Sequence, residues 1–373
     1  MLTRSHGRPF WRGFPENFVS VVKPTARIAR LAGTLGIFVL SAFAGGYAQS
    51  AQGHKSARVH ESKSRAAAPK ISLAPRFVPG QSFRYEMEFE TTNDTARSGL
   101  ATDPQGPRSV VVDWNATLRM DVLPAEAAPG GIRLRTTYEK STATVRSDTF
   151  DPSAEETTEQ YHQLEGKVIE FTLGADGKVS KVTGIEAIAD SEKAAQAVKD
   201  WIAQLGAGAP PGGVSLGQTW SDEEPATGLP IAGLVWRADS EYVANEPCHP
   251  PNPDVPGAPA SADEKTSAAG GNGPPDCAVI LAKLSLAKPK SSRESTPPDL
   301  RGNGMQSAGS WTGSTQSLIY VSLESGMVVS STQTGSQEMD VTLTTSHNTR
   351  MRVKGTISTR SQVTLVTDEA GGN

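Results

Sequence analysis

From Phe77 onward the chain alternates apolar and polar residues in short runs: FRYEMEFET, SVVVDWNATLRMDV, IRLRTTYEKSTATV, KVIEFTLG, KVSKVTGI, LVWRADSEYVA, AVILAKLSLA, SLIYVSLE, MVVSSTQTG, MDVTLTT and MRVKGTISTRSQVTLVT. A period of two sets successive side chains on opposite faces of an extended strand, so the pattern predicts a succession of half-buried strands. In the final run Met351, Val353 and Ile357 share one parity while arginine, lysine, serine and threonine fill the other, which describes a sheet with one wet face. ADG after Leu173 and ESG after Leu323 read as hairpin turns. The expected fold is mainly β, with one or more antiparallel curved sheets of half-barrel or sandwich-like form.

One stretch breaks the period. DSEKAAQAVKDWIAQLG, at 190–206, puts Ala194, Val198, Trp201, Ile202 and Leu205 on one helical face, with Asp190 as N-cap and Gly206 past the C-terminal end. It predicts a single α-helix packed on the open face of the sheet. The chain also reads as duplicated. PGQSFRYEME at Pro79 returns as LGQTWSDEEP at Leu216, and IEFTLGADGKVSKVTG at Ile169 returns as IYVSLESGMVVSSTQTG at Ile319. This gives a first β module over 77–213, which carries the helix, and a second over 214–367. Three insertions rich in proline, glycine and serine, at about 93–108, 249–276 and 288–308, are expected to be loops without regular structure.

Ahead of the modules, Arg4, Arg8, Arg12, Lys23, Arg27 and Arg30 precede the apolar run Leu31 to Ala48, which ends in small residues. This is the layout of an export signal, with Gly46 and Ala48 placed for cleavage after Ala48. The alternative is an uncleaved anchor at residues 31–48, near the length a bilayer span needs. Residues 49–76, basic, serine-rich and without phenylalanine, tyrosine or tryptophan, read as a disordered tether. The whole chain carries a net charge of −4; without residues 1–48 it has 30 basic residues against 39 acidic ones, a net charge of −9. Nucleic acid is excluded as a partner on that balance, and the membrane enters only through the N-terminal segment. Cys248 and Cys277 flank the proline- and glycine-rich excursion, and in an oxidising compartment their pairing into a disulfide is expected. The expected location is periplasmic or secreted.

Candidate chemistry is sparse. His162, His249 and His347 each stand alone in the folded region, so no metal site and no cofactor is expected. GVSLG at Gly213 matches the GxSxG nucleophile elbow, but a Gly-Pro run precedes Ser215 and QTWSDEEP follows it, where a strand and a helix are required. Ser285 and Lys288 match an SxxK pair, yet sit in a run of strand character, where residues three apart face opposite ways. The acidic groups Glu155–Glu156 and Asp222–Glu224 read as solvated turns. No catalytic residue is therefore expected. Trp201, Trp220 and Trp236 are the candidate lining of a cleft for an apolar or sugar ligand.

PGQSFRYEME, the ADGKVSKVTG hairpin, the GQTW block, AVILAKLSLA and the ESGMVVSS hairpin, in this order, resemble a family of exported bacterial proteins of unknown function over about residues 77–345. That family is itself similar in outline to the sheet-plus-helix half-barrels of bacterial lipoprotein carriers. No activity comes with the resemblance; the architecture, a curved sheet capped by the helix around Trp201, suggests an uncharacterised, non-enzymatic envelope protein that binds a lipid or other apolar ligand in a β concavity. The alternatives are a structural or interaction module with an envelope partner and, behind it, a hydrolase built on Ser215.

Overall fold

The computed structural model describes residues 69–99, 102, 104–124, 131–151, 154–174, 179–188, 210, 212–226, 229–248, 276–288 and 295–366. The strands are β1 (Ser82–Gly99), β2 (Arg108–Val122), β3 (Ile132–Ser147), β4 (Val168–Leu173), β5 (Val179–Thr183), β6 (Thr219–Pro225), β7 (Val235–Pro247), β8 (Asp276–Ala287), β9 (Met305–Ser322), β10 (Val328–Thr345) and β11 (Arg350–Val366). All belong to one antiparallel, curved and unclosed sheet in the order β5-β4-β3-β2-β1-β11-β10-β9-β8-β7-β6. The expected β class is therefore what forms, as a single sheet. MVVSSTQTG and MDVTLTT run together into β10, and the GQTW block supplies β6.

The order has a simple internal logic. Strands β1 to β5 form one meander, stepping from the middle of the sheet to one edge, and β6 to β10 another, stepping in the same direction from the opposite edge to the middle, where β11 joins the first strand of one to the last strand of the other. The two GQ blocks open these meanders with the same backbone device. Gly80 (φ 89°) is the third residue of a turn closed by Gln81 N–H donating to the Val78 carbonyl, and Gly217 (φ 77°) holds the same place between Ser215 and Gln218. Gly80 N–H donates to Val122 while Val122 N–H donates to Gln81; Gly217 N–H donates to Tyr242 while Tyr242 N–H donates to Gln218. In both turns the glutamine Oε1 accepts a bond from the backbone N–H three residues before it. This is a type II turn running into a glycine bulge, and the left-handed φ it needs is why glycine recurs in both blocks.

Both outermost strands are short. β5 carries the left-handed residue Lys181 (φ 51°), and β6 ends on a proline behind an acidic stretch; such features discourage edge-to-edge pairing. One helix packs on the sheet, α1 (Ala154–His162), through buried Thr157 and Tyr161. The sequence reading made this segment a solvated turn, because Tyr161 is its only large apolar side chain and leaves no stripe to detect. The helix expected at 190–206, with Trp201, lies outside the described residues.

Two of the expected loops contain regular structure. The first insertion begins inside β1, where Thr91, Asn93 and Thr95 are buried opposite β11 although none is apolar. In the third, a short helix α2 (Pro298–Gly302) buries Leu300 and β9 starts at Met305. Polar composition hid both: burial here follows from register against a neighbouring strand, which local hydrophobicity does not report. The excursion at 249–275 lies outside the described residues, while its base is closed by the expected Cys248–Cys277 disulfide.

Candidate functional site

The two faces of the sheet differ in chemistry. Its outer face carries ion pairs, among them Arg84 with Glu139 (2.6 Å), Arg135 with Glu170 (2.7 Å), Arg146 with Asp113 (2.7 Å) and Arg352 with Asp340 (2.5 Å). A hydrogen bond from Arg84 holds the Glu139 carboxyl below the ordinary carboxylate range, and one from Arg135 does the same for Glu170. At the end of β8 and β9 near the disulfide the outer face turns apolar around Cys277, Val279 and Tyr320. Burial, followed by the nearby Glu246, pushes the Tyr320 hydroxyl up to about 12.

The inner face holds the core, in three patches. Over β1 to β5 lies one continuous cluster in which Trp114 is fully buried, its ring centroid 5.7 Å from Tyr161 of α1 and 6.3 Å from Tyr138. Trp114 Nε1 donates to Ser141 Oγ (2.9 Å), which donates in turn to the Tyr161 carbonyl (2.5 Å). Over β7 to β10 are two separate clusters. One joins Tyr242, Ile280 and Ile319 to Leu73 and Val214; the other joins Leu286, Trp311, Met339 and Ile357 to Ile231, Leu234 and Leu300.

Between these last two runs a strip that only the register reveals. Directly opposed residues across an antiparallel sheet share a face, so one inner row reads Trp114, Phe89, Ser361, Gln333, Ser317, Ala282, Ser240 and Trp220 from β2 to β6. The next reads Val112, Thr91, Thr359, Gly335, Thr315, Leu284, Ala238 and Asp222. From β11 to β6 almost every residue of these rows is half-buried, whereas the row beside them, Met87, Val363, Ser331, Ile319, Ile280 and Tyr242, is buried throughout. The strip is stopped at β1 and β2 by buried Thr91, Val112 and Trp114, and it opens at the β6 edge between half-buried Trp220 and Trp236. At roughly 4.8 Å per strand its length is about 24 Å. A glycine keeps the floor low: a Cβ on Gly335 would meet Thr315 Oγ1, so this position admits no side chain without displacing its neighbour.

Of the three tryptophans expected to line a cleft, Trp220 and Trp236 flank the strip's mouth. Among the described residues, the tryptophans most deeply set in the inner face are instead Trp114 and Trp311, the latter donating from Nε1 to Gln337 Oε1 (2.9 Å). The polar floor gave no sequence signal, because serine, threonine and glutamine on a strand read as its wet face. Ser215 sits in the turn before β6, while exposed His347 lies in the β10–β11 turn at the opposite end of the sheet and exposed His162 ends α1; His249 lies outside the described residues. Ser285 donates to the Arg237 carbonyl. Glu155, Glu156, Thr158, Glu159 and His162 line an open depression of about 490 Å³ on the solvent side of α1. Among the described residues no group of three or more His, Cys, Asp or Glu is placed to hold a metal ion.

Fold and site together define an open-sheet β protein with a long half-buried strip across its inner face. No family model and no curated protein matches the chain. Among solved structures it is similar to lipovitellin, in a structure concerned with lipid–protein interactions, at 10% identity and a TM-score of 0.39, over 78% of this chain and 26% of that one. The chain thus spans about a quarter of lipovitellin. It is also similar to the outer membrane protein OprG from Pseudomonas aeruginosa (6% identity, TM-score 0.17, covering 77% of this chain and 96% of that one). A third likeness is to DynF from the dynemicin pathway of Micromonospora chersina (9% identity, TM-score 0.15, covering 86% and 94%). At TM-scores below 0.5 none of these carries an argument about this chain.

Proposed function

We propose that this protein is a non-catalytic binding protein of the extracytoplasmic space that holds a ligand with an apolar chain along the inner face of its sheet. The observation that carries this reading is the strip: a half-buried band about 24 Å long, stopped at one end, open between two tryptophans at the other and flanked on one side by the buried row from Met87 to Tyr242. Export rests on the N-terminal pattern and is supported by the disulfide, since such bonds persist outside the reducing cytoplasm. We further infer that the two meanders are copies of one unit, which the matched turns at Gly80 and Gly217 support. Neither nucleic acid nor a cofactor belongs to this reading.

Native mass spectrometry of the gently purified chain tests it. A co-purifying mass, or uptake of acyl probes with a change in tryptophan emission, is the expected result; a chain that is ligand-free and takes up no probe overturns the reading.

A further inference from the structure

Ser240, Ser317, Gln333, Thr359 and Ser361 lie in the strip, half-buried, and among the described residues their side chains make no hydrogen bond. Several polar side chains elsewhere on the inner face are committed, Ser141 to a backbone carbonyl, Thr136 to the Ile169 carbonyl, Ser307 to the Ser295 carbonyl and Gln337 to Trp311, while the Tyr85 and Tyr138 hydroxyls and Asn93 Oδ1 are fully buried without a partner among the described residues and so are out of a ligand's reach. Five uncommitted hydroxyl and amide groups therefore share one band. Within the two rows from β11 to β6 the only charged residue is Asp222, at the mouth. An anionic head moving into this band would leave water for a site that offers no cation, at a cost that uncharged donors recover poorly. An uncharged head that both donates and accepts would meet hydroxyls and an amide able to do the same.

Resting on the binding reading above, we propose that the ligand is an uncharged amphiphile, a hydroxyl- or ester-bearing lipid, whose polar group lies on the Ser317–Gln333–Ser361 row while its chain follows the buried row beside it. The strip selects against the free acid of the same chain length.

The test compares 1-monopalmitoylglycerol with palmitate at pH 8 on the full exported chain, read by tryptophan emission and native mass spectrometry. Monopalmitoylglycerol is expected to bind about tenfold more tightly, and Gln333→Leu is expected to weaken it about fivefold and so to narrow its preference over palmitate. Ser317→Val gives the same comparison should Gln333→Leu fail to fold, with circular dichroism checking both. Palmitate binding as tightly as monopalmitoylglycerol, or a preference that survives both substitutions, overturns this proposal and leaves the binding reading standing. If neither lipid binds, the binding reading itself falls.

Discussion

On the inner row that crosses the sheet at Gln333, the β1–β5 half ends in half-buried Phe89 and in Trp114, buried against α1, whereas the β6–β11 half offers Ser361, Gln333, Ser317, Ala282 and Ser240. Both halves are antiparallel meanders opened by the same glycine turn. What separates them is side-chain volume at equivalent depth. Large aromatics fuse the first half into one core, and small polar residues split the second into two cores with a half-buried band between. One sheet can thus be packed in two ways on its two sides without changing its topology.

The sharpest way to break this comparison is to truncate one tryptophan in each half. Trp114→Ala should cost about 3–5 kcal/mol, because it opens a cavity under α1 and leaves Ser141 without its donor. Trp220→Ala, half-exposed at the mouth, should cost about 1 kcal/mol. Urea unfolding followed by circular dichroism measures both, and equal losses would mean that the halves are packed alike. A smaller effect tests what they share. A Cβ on Gly80 or Gly217 meets nothing within 4 Å, so Gly80→Ala and Gly217→Ala should each cost only the left-handed backbone penalty, about 1–2 kcal/mol. The two values should agree within about 0.5 kcal/mol; a wide gap would show that the turns play unequal parts.

The smallest effect concerns acid. Glu139 and Glu170 belong to the first half, and hydrogen bonds from their arginine partners hold their carboxyls lower in the folded chain than those of an ordinary glutamate. Their stabilisation is therefore present above about pH 4.5 and is lost as pH falls through the folded values. Because both carboxyls are partly exposed, each pair should contribute no more than about 1 kcal/mol, and Glu139→Gln with Glu170→Gln should flatten the acid limb of a stability–pH curve.

Alternation exposed most of the strands, and the paired GQ blocks marked where each meander starts, because a glycine bulge leaves a short sequence trace. The disulfide followed from its flanking positions. Less visible was anything that depends on which strand lies beside which. Thr91 and Asn93 are buried because β2 and β11 flank them, and Ser317 and Gln333 face inward because register puts them there. Helix α1 escaped notice because one tyrosine meeting Trp114 suffices to anchor it. Tertiary pairing, absent from any local window, decides these cases.

The join between β1 and β11 has a temporal consequence. Arg84 faces Val366, so the strand that emerges first must wait for nearly the whole chain before its second edge is satisfied. Contacts this distant in sequence make for slow folding and keep a hydrogen-bonding edge open meanwhile. The last strand therefore acts as a keystone: a chain cut before Arg350 keeps the bonds of Ile71 to Val214 and of Arg76 to Ser325 but loses the strand that joins the two meanders into one sheet.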